Sequence, residues 1–291
     1  MRMVRAAIVI SFAAIVCQAR DAQSLVDRVM QARQGAAIVL DVESGRILAW
    51  SRPEVACRRL VRPGSTLKPF ALLALLNTRR VDQGTSMLCR RRLTIDGRRF
   101  DCSHPETTLP VEATAALAYS CNCFFATYAA RLPRRELPEL LRRIGMMSPS
   151  QGPGTEVIGW VREGRSEEDV VLQALGESHL EVTPLAVAEA YRKLALRRKS
   201  PERDPGMEII YAGLEAAVEY GTARLAQPSG KARVAGKTGT STGDGAIRHA
   251  WFAGYGPAGR PQVAVLVFLE QGTGGRDAAP LASEIFRELL P

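Results

Sequence analysis

The chain is written in two hydrophobic rhythms, and the order in which they come constrains its fold more than any single motif. Toward the N-terminal side, Ala36-Ala37-Ile38-Val39-Leu40-Asp41 and Arg46-Ile47-Leu48-Ala49-Trp50 flank Glu43-Ser44-Gly45. Two β-rich runs around a glycine-containing turn read as a hairpin. The far end mirrors this. Ala250 to Tyr255 and Gln262 to Phe268 read as strands with Pro257 and Gly259 between them, and Ala278 to Leu290 as a closing amphipathic helix. Between about Pro63 and Lys199 the apolar residues instead recur at helical spacing, in Phe70–Leu76, Val111–Ala130, Leu137–Ile144 and Thr183–Leu196. Ser200 to Met207, with Pro201 and Pro205, reads as a linker back to the sheet. A chain that starts in a sheet, leaves it for helices and returns has the α+β pattern. The expected division is sheet parts at about 34–56 and 207–291 around a helical insertion at about 57–206, all within one domain spanning 20–291. A short helix over Ala22–Arg33 precedes the first strand. A cleft between the two parts is the default binding site.

The N-terminus reads as an export signal over residues 1–19, cleaved or retained as an anchor. Arg2 and Arg5 form a positive region, Ala6 to Val16 an apolar run, and Cys17-Gln18-Ala19 a small-x-small cleavage site. The expected location is therefore extracytoplasmic, in the periplasm or on the outer face of the membrane. Net charge is +9 over 291 residues, mostly from short arginine runs scattered along the chain. No aromatic residues interleave them, so they read as a solvated surface rather than a nucleic-acid site.

Six cysteines suit an exported chain. Cys89 and Cys102 bracket a hairpin candidate, Leu93 to Arg98, with Asp96-Gly97 as its turn, which predicts a disulfide between them. The alternative is a zinc site of Cys89, Cys102 and His104. That set lacks a fourth ligand and Cys-x-x-Cys spacing, so no metal is expected. Cys57, Cys121 and Cys123 read as free buried thiols.

Three short motifs carry chemistry. Pro63-Gly64-Ser65-Thr66-Leu67-Lys68-Pro69-Phe70 opens the first helical run. Pro69 is tolerable only within a first turn, so Ser65 lies near a helix N-terminus with Lys68 one turn on. A serine hydroxyl needs a base, and a lysine amine serves if its surroundings lower its pKa. Ser120-Cys121-Asn122 sits in an apolar stretch read as helix from Ala115 to Ala129, and offers a second hydroxyl and a side-chain amide. Lys237-Thr238-Gly239-Thr240 follows Val234-Ala235-Gly236, where a strand would set a cation, hydroxyls and bare backbone beside an extended ligand.

Ser-x-x-Lys, Ser-x-Asn and Lys-Thr-Gly in this order resemble the signature of penicillin-binding proteins and serine β-lactamases. The surrounding words agree with the transpeptidase branch: Tyr119-Ser120-Cys121-Asn122, Ala235 to Ser241, and His249 to Tyr255. Gln173 to Glu177 and Val182 to Leu185 resemble the turn and helix start before the third motif, although Gly176-Glu177-Ser178-His179 departs from the usual wording. The resemblance spans most of Ala36 to Phe268. It implies a mainly antiparallel sheet flanked by helices, with an inserted all-helical subdomain. It also implies D,D-transpeptidase chemistry on D-alanyl-D-alanine stem peptides of peptidoglycan, with β-lactams as inhibitors and no cofactor. Ser65 would be the nucleophile, Lys68 its base, Ser120 a proton relay, and Asn122 a holder of the substrate amide. The N–H groups of Ser65 and Thr240 would form the oxyanion hole, and Lys237, Thr238 and Thr240 would hold the terminal carboxylate beside Gly239. A glycan-polymerising or scaffold partner is expected. D-alanyl carboxypeptidase, β-lactamase and non-catalytic binding module are the competing readings. His104, His179 and His249 read as structural.

Overall fold

A computed structural model of the protein describes residues 21–106, 108–149, 156–202, 204–230, 232–243 and 247–290. The export signal expected over 1–19, including Cys17, lies outside the described residues. Helix α1 crosses residues 21–30. There follow strands β1 (Gly35–Asp41) and β2 (Ile47–Trp50), helix α2 (Pro53–Arg58), a 3₁₀ turn at Gly64–Leu67 and helix α3 (Lys68–Asn77). Short strands β3 (Ser86–Met87), β4 (Thr94–Ile95), β5 (Arg98–Arg99) and β6 (Val111–Glu112) lead to α4 (Ala113–Ala118), α5 (Asn122–Ala129) and α6 (Glu136–Arg143). Next come β7 (Trp160–Val161), α7 (Glu167–Ala174), β8 (Leu180–Glu181), α8 (Pro184–Arg198) and α9 (Pro205–Glu219). The chain closes with β9 (Ala235–Thr242), β10 (Arg248–Gly256), β11 (Val263–Leu269) and α10 (Ala279–Leu289).

The five long strands form one antiparallel sheet in the order β2-β1-β11-β10-β9. Both faces are covered, which is why Val263–Leu269 is apolar throughout and buried throughout. Period-two alternation divides each strand between two cores. Ala37, Val39, Phe252, Val265 and Val267 meet Leu25 and Val26 of α1 and Ile285 and Phe286 of α10. Ile38, Leu40, Trp251, Leu266 and Phe268 face the other way, toward Leu185, Tyr191 and Leu194 of α8. That second core runs on without a break through α3, α5 and α7. The sheet, rather than the edge of the helical insertion, is the boundary between the cores.

The two terminal hairpins and the closing helix form as the sequence pattern predicts. So does the Asp96-Gly97 turn, whose φ values of 48° and 68° are both positive, as a tight two-residue hairpin turn needs. Two expectations are corrected. Val111–Ala130 is not continuous helix: α4 stops at Ala118, Ser120 takes φ 56°, Cys121 is extended, and α5 starts at Asn122. The segment around Pro205 is not a linker but the start of α9. Asp204 caps that helix, its Oδ1 accepting from Gly206 N (2.9 Å) and Met207 N (3.3 Å), and Pro205 occupies the first turn, where its missing N–H is harmless. The stretch 207–219, assigned to the returning sheet part, is therefore helix. Among the described residues no helix is long and apolar enough to cross a membrane.

Candidate active site

Helix α3 is buried on all sides from Lys68 to Leu75, as expected of a helix apolar all round. It fixes the first motif at the centre of the molecule. Ser65 sits half-buried in the 3₁₀ turn that enters α3, and Pro69 lies in the first turn, both as the sequence predicts. The turn is tied down from the core: Thr66 Oγ1 donates to Pro63 O (2.7 Å) and Tyr191 Oη donates to Thr66 O (2.8 Å). The first N–H groups of such a turn have no partners within it and favour negative charge beside them.

Lys68 is fully buried. Its Nζ donates to Ser120 O (2.8 Å), Ser120 Oγ (3.1 Å) and Asn122 Oδ1 (2.5 Å), and lies 5.1 Å from the centre of the Phe125 ring. Burial lowers its pKa to about 8, while the sulfurs of Cys121, Cys102 and Cys123 and the carboxylate of Glu177 pull the other way. The first and second motifs are thus joined through one lysine. Asn122 serves as a bracket, since its Nδ2 donates to Phe100 O (2.9 Å) in the β5 hairpin while its Oδ1 accepts from Lys68. Ser120 reaches Lys68 only because its backbone is left-handed, a conformation that costs a non-glycine residue about 1–2 kcal/mol.

The third motif occupies β9, the last strand of the sheet, with no sheet neighbour on its outer side among the described residues. Lys237 is fully buried and donates to Thr238 O (3.0 Å). Its pKa lies well below the ordinary lysine value, through burial first and the charge of Lys68 second. Thr238 Oγ1 donates to Thr222 Oγ1 (2.8 Å), and Thr240 Oγ1 accepts from Gly274 N (3.1 Å). Gly239 is required by close approach: a Cβ there would stand 2.9 Å from Thr66 Cγ2 and 3.0 Å from Pro63 O. A Cβ on Gly64 would likewise meet Thr240 O at 2.9 Å. Bare backbone brings the Ser65 turn and the third motif into direct contact.

All eight residues singled out in the sequence therefore belong to one neighbourhood. Sequence reasoning missed two of their supports. Glu177, noted only as a departure in wording, is buried, accepts from Thr242 N (3.4 Å) and lies 3.7 Å from Arg98. Thr222 holds the Thr238 hydroxyl, and nothing in the local sequence marks it. No histidine is hydrogen-bonded to Ser65 among the described residues. His249 bonds to Glu270 O (2.8 Å) and His179 to Ser178 Oγ (2.9 Å), so both act within the framework. The expected Cys89–Cys102 disulfide is not formed. The two Sγ atoms stand 3.7 Å apart as free thiols, and Cys121 and Cys123 crowd against them.

Residues 35–290 match the family described as penicillin binding protein transpeptidase domain. The chain is 26% identical to the Pseudomonas aeruginosa protein named "Probable peptidoglycan D,D-transpeptidase PbpC", over 87% of this chain and 53% of that protein. It spans about half the length of the curated relatives it matches. In fold it is similar to PBP2 of Pseudomonas aeruginosa, with TM-score 0.82 and 21% identity over 93% of this chain and 77% of that one. PBP2 of Helicobacter pylori, solved in complex with MreC, has TM-score 0.79 and 19% identity over 92% and 62% of the two chains. The antiparallel sheet, the inserted helices and the family match over nearly the whole chain agree, and this protein belongs to the penicillin-binding-protein transpeptidase family.

Proposed function

We propose that this chain is a serine acyltransferase of peptidoglycan synthesis, a D,D-transpeptidase that works through an acyl-Ser65 intermediate on D-alanyl-D-alanine stem peptides. The observation that carries the reading is Lys68. It is buried, its amine is held by Ser120 and Asn122, and its pKa is lowered to about 8, near the range a general base needs. Lys68 takes the proton of Ser65 Oγ as that oxygen attacks the carbonyl of the penultimate D-alanine. Ser120 Oγ passes a proton to the nitrogen of the departing D-alanine. The N–H groups of Ser65 and Thr240 receive the oxyanion, and a donor of that kind contributes about 3–4 kcal/mol to the barrier reduction. Lys237 with the Thr238 and Thr240 hydroxyls holds the terminal carboxylate, and the peptide lies along the open edge of β9 beside Gly239. An amine acceptor then yields a crosslink.

Ser65 Oγ accepts no hydrogen bond from Lys68 in the resting geometry, so Lys68 turns from Ser120 toward Ser65 when substrate binds, in keeping with the loose hydrogen bonds of many unliganded sites. The same reading includes export by residues 1–19, an extracytoplasmic location and one domain over 20–291. It also includes a scaffold partner, of the kind that MreC is in the Helicobacter pylori complex, or a glycan-polymerising one.

Intact-protein mass spectrometry after incubation with benzylpenicillin tests the proposal. A lasting adduct that maps to Ser65 and is absent from Ser65→Ala supports it. An adduct that vanishes while drug is consumed replaces it with a β-lactamase, and no adduct at all removes the acyltransferase. Supplying a stem peptide with and without an amine acceptor then separates transpeptidation from carboxypeptidation.

A further inference from the structure

Four sulfurs and one imidazole converge beside the second motif. Cys89 and Cys102 come from the two sides of the β4–β5 hairpin, His104 from the loop after it, and Cys121 and Cys123 from the break before α5 and its first turn. The Sγ separations are 3.7 Å for Cys89–Cys102, 3.8 Å for Cys102–Cys121 and 3.4 Å for Cys89–Cys121. The donor atoms of Cys89, Cys102, His104 and Cys121 all lie within 4.8 Å of one another. Sulfurs bound at about 2.3 Å to one tetrahedral zinc stand about 3.8 Å apart, whereas a disulfide joins them at about 2.05 Å. The observed spacing is that of ligands around a shared centre. The fourth donor that the sequence spacing lacked is Cys121, distant in sequence and adjacent in space.

His104 is an independent observation. It is 4% exposed, and among the described residues its Nε2 has no hydrogen-bond partner. Its Nδ1 lies 2.7 Å from Pro105 O, and its ring centre is 5.7 Å from that of Tyr119. An Nδ1–H given to a backbone carbonyl leaves the Nε2 lone pair free, as in histidines that bind metals. Two backbone N–H groups aim at the sulfurs, Arg91 N at Cys89 Sγ (3.3 Å) and Cys123 N at Cys102 Sγ (3.4 Å), and such donors favour thiolates. Cys123 differs from the other three. Its Sγ points at Arg92 O (3.8 Å) and behaves as a thiol donor.

We propose that Cys89, Cys102, His104 and Cys121 bind one zinc ion in a closed tetrahedral site, with Cys123 packed outside it. Thiolate and imidazole donors without a carboxylate suit zinc rather than magnesium or calcium. Three thiols each release a proton as the ion binds, and His104 enters neutral. The ion ties the β4–β5 hairpin to the backbone between Ser120 and Asn122, the two residues that hold Lys68. Its ligands are thus positioning residues for the second motif.

The test uses the full chain purified under reducing conditions and titrated with zinc or cobalt alone. The wild type and Cys57→Ser should each hold one equivalent of zinc by elemental analysis. Cys102→Ser, Cys121→Ser and His104→Ala should bind at least about 10-fold more weakly, while Cys123→Ser should keep the full equivalent. Cobalt in the wild type should give the visible bands of a tetrahedral ion together with a thiolate charge-transfer band, a signature that depends on no variant folding. Zinc stripped by a chelator should slow acylation of the folded protein by benzylpenicillin, and re-addition should restore it. A folded wild type that takes up well under one equivalent would overturn the site, as would a Cys89–Cys102 disulfide in peptide maps of exported protein. Metal loss in Cys123→Ser would overturn the donor set, and acylation unaffected by metal would overturn the link to the second motif. Metal content and the cobalt spectrum are read without penicillin, so they stand or fall separately from the acyltransferase proposal.

Discussion

Gly176 offers the sharpest test of how Ser65 is held. Its φ is +76°, and a Cβ built on it would stand 2.1 Å from Gly64 O, with Gly64 C at 2.7 Å and Gly64 Cα at 2.9 Å. Gly64 N in turn donates to Gly176 O (3.0 Å). Gly176→Ala therefore meets two separate penalties. The left-handed backbone costs about 1–2 kcal/mol for a residue with a Cβ. The clash is with backbone, which cannot swing aside: reaching even a 3.0 Å contact takes a retreat of 0.9 Å, from 3.0 − 2.1. Gly64 immediately precedes Ser65, so the proposed nucleophile moves with it, and a displacement of about 1 Å in a reacting group costs roughly 100-fold in rate. Gly97→Ala isolates the first penalty, because Gly97 has φ +68° with nothing within 4 Å of its added Cβ. Gly259→Ala, at an open position without positive φ, carries neither. Urea unfolding should show Gly97→Ala destabilised by about 1–2 kcal/mol, Gly176→Ala by more, and Gly259→Ala unchanged. Acylation by benzylpenicillin, followed by intact mass, should fall about 100-fold in Gly176→Ala alone. If Gly176→Ala acylates within about threefold of wild type while losing stability, the packing of Gly176 on Gly64 does not set the position of Ser65, and the argument fails.

Three further outcomes follow from the same contacts. As the proposed base Lys68 must be neutral, so with its pKa lowered to about 8 the acylation rate should rise with pH through a midpoint near 8. The groups facing Lys68 are Lys237, Glu177 and the cysteines 102, 121 and 123, and Glu177→Gln removes a charge that favours the ammonium, so it should shift that midpoint to lower pH in a rate–pH profile. Asn122→Ala strips an acceptor from Lys68 and a donor from Phe100 O, and should destabilise the fold by about 1–3 kcal/mol in urea as acylation falls. Thr183→Ala removes the side chain that accepts from Ala186 N at the start of α8, and should cost about 1 kcal/mol with acylation unchanged.

What could be read from the sequence was local. Ser65 and Lys68 lie within one turn, Pro69 fixes where that turn begins, and the apolar run from Gln262 to Phe268 reads as a strand. Helical spacing from Val111 to Ala130 was also real, and alanine-rich composition favours one continuous helix. The break at Ser120 comes instead from a tertiary contact, since the left-handed backbone is kept where Lys68 bonds to both the hydroxyl and the carbonyl of that residue. Pro205 was ambiguous because proline both stops and starts helices, and the preceding Asp204 is the cap signal that should have decided it. Glu177 and Thr222 carry no local mark, because their partners Thr242 and Thr238 lie far along the chain. The cysteine cluster failed for the same reason: Cys89, Cys102 and His104 are close in sequence, and Cys121 joins them only through the fold.

Two buried lysines in one site need a rule for sharing charge, and the contacts supply it. Among the described residues Lys68 has three acceptors around its amine, whereas Lys237 Nζ donates to Thr238 O alone. Like charges depress one another, and the charge on Lys68 lowers the pKa of Lys237. In the empty site the contacts therefore favour the positive charge on Lys68 over Lys237. Under the acyl-transfer reading, the terminal carboxylate of a stem peptide arrives at Lys237 and favours its ammonium form. A charged Lys237 then lowers the proton affinity of Lys68 by the same coupling. On that reading, binding of the correct anionic terminus favours the neutral form of Lys68, the form a base needs.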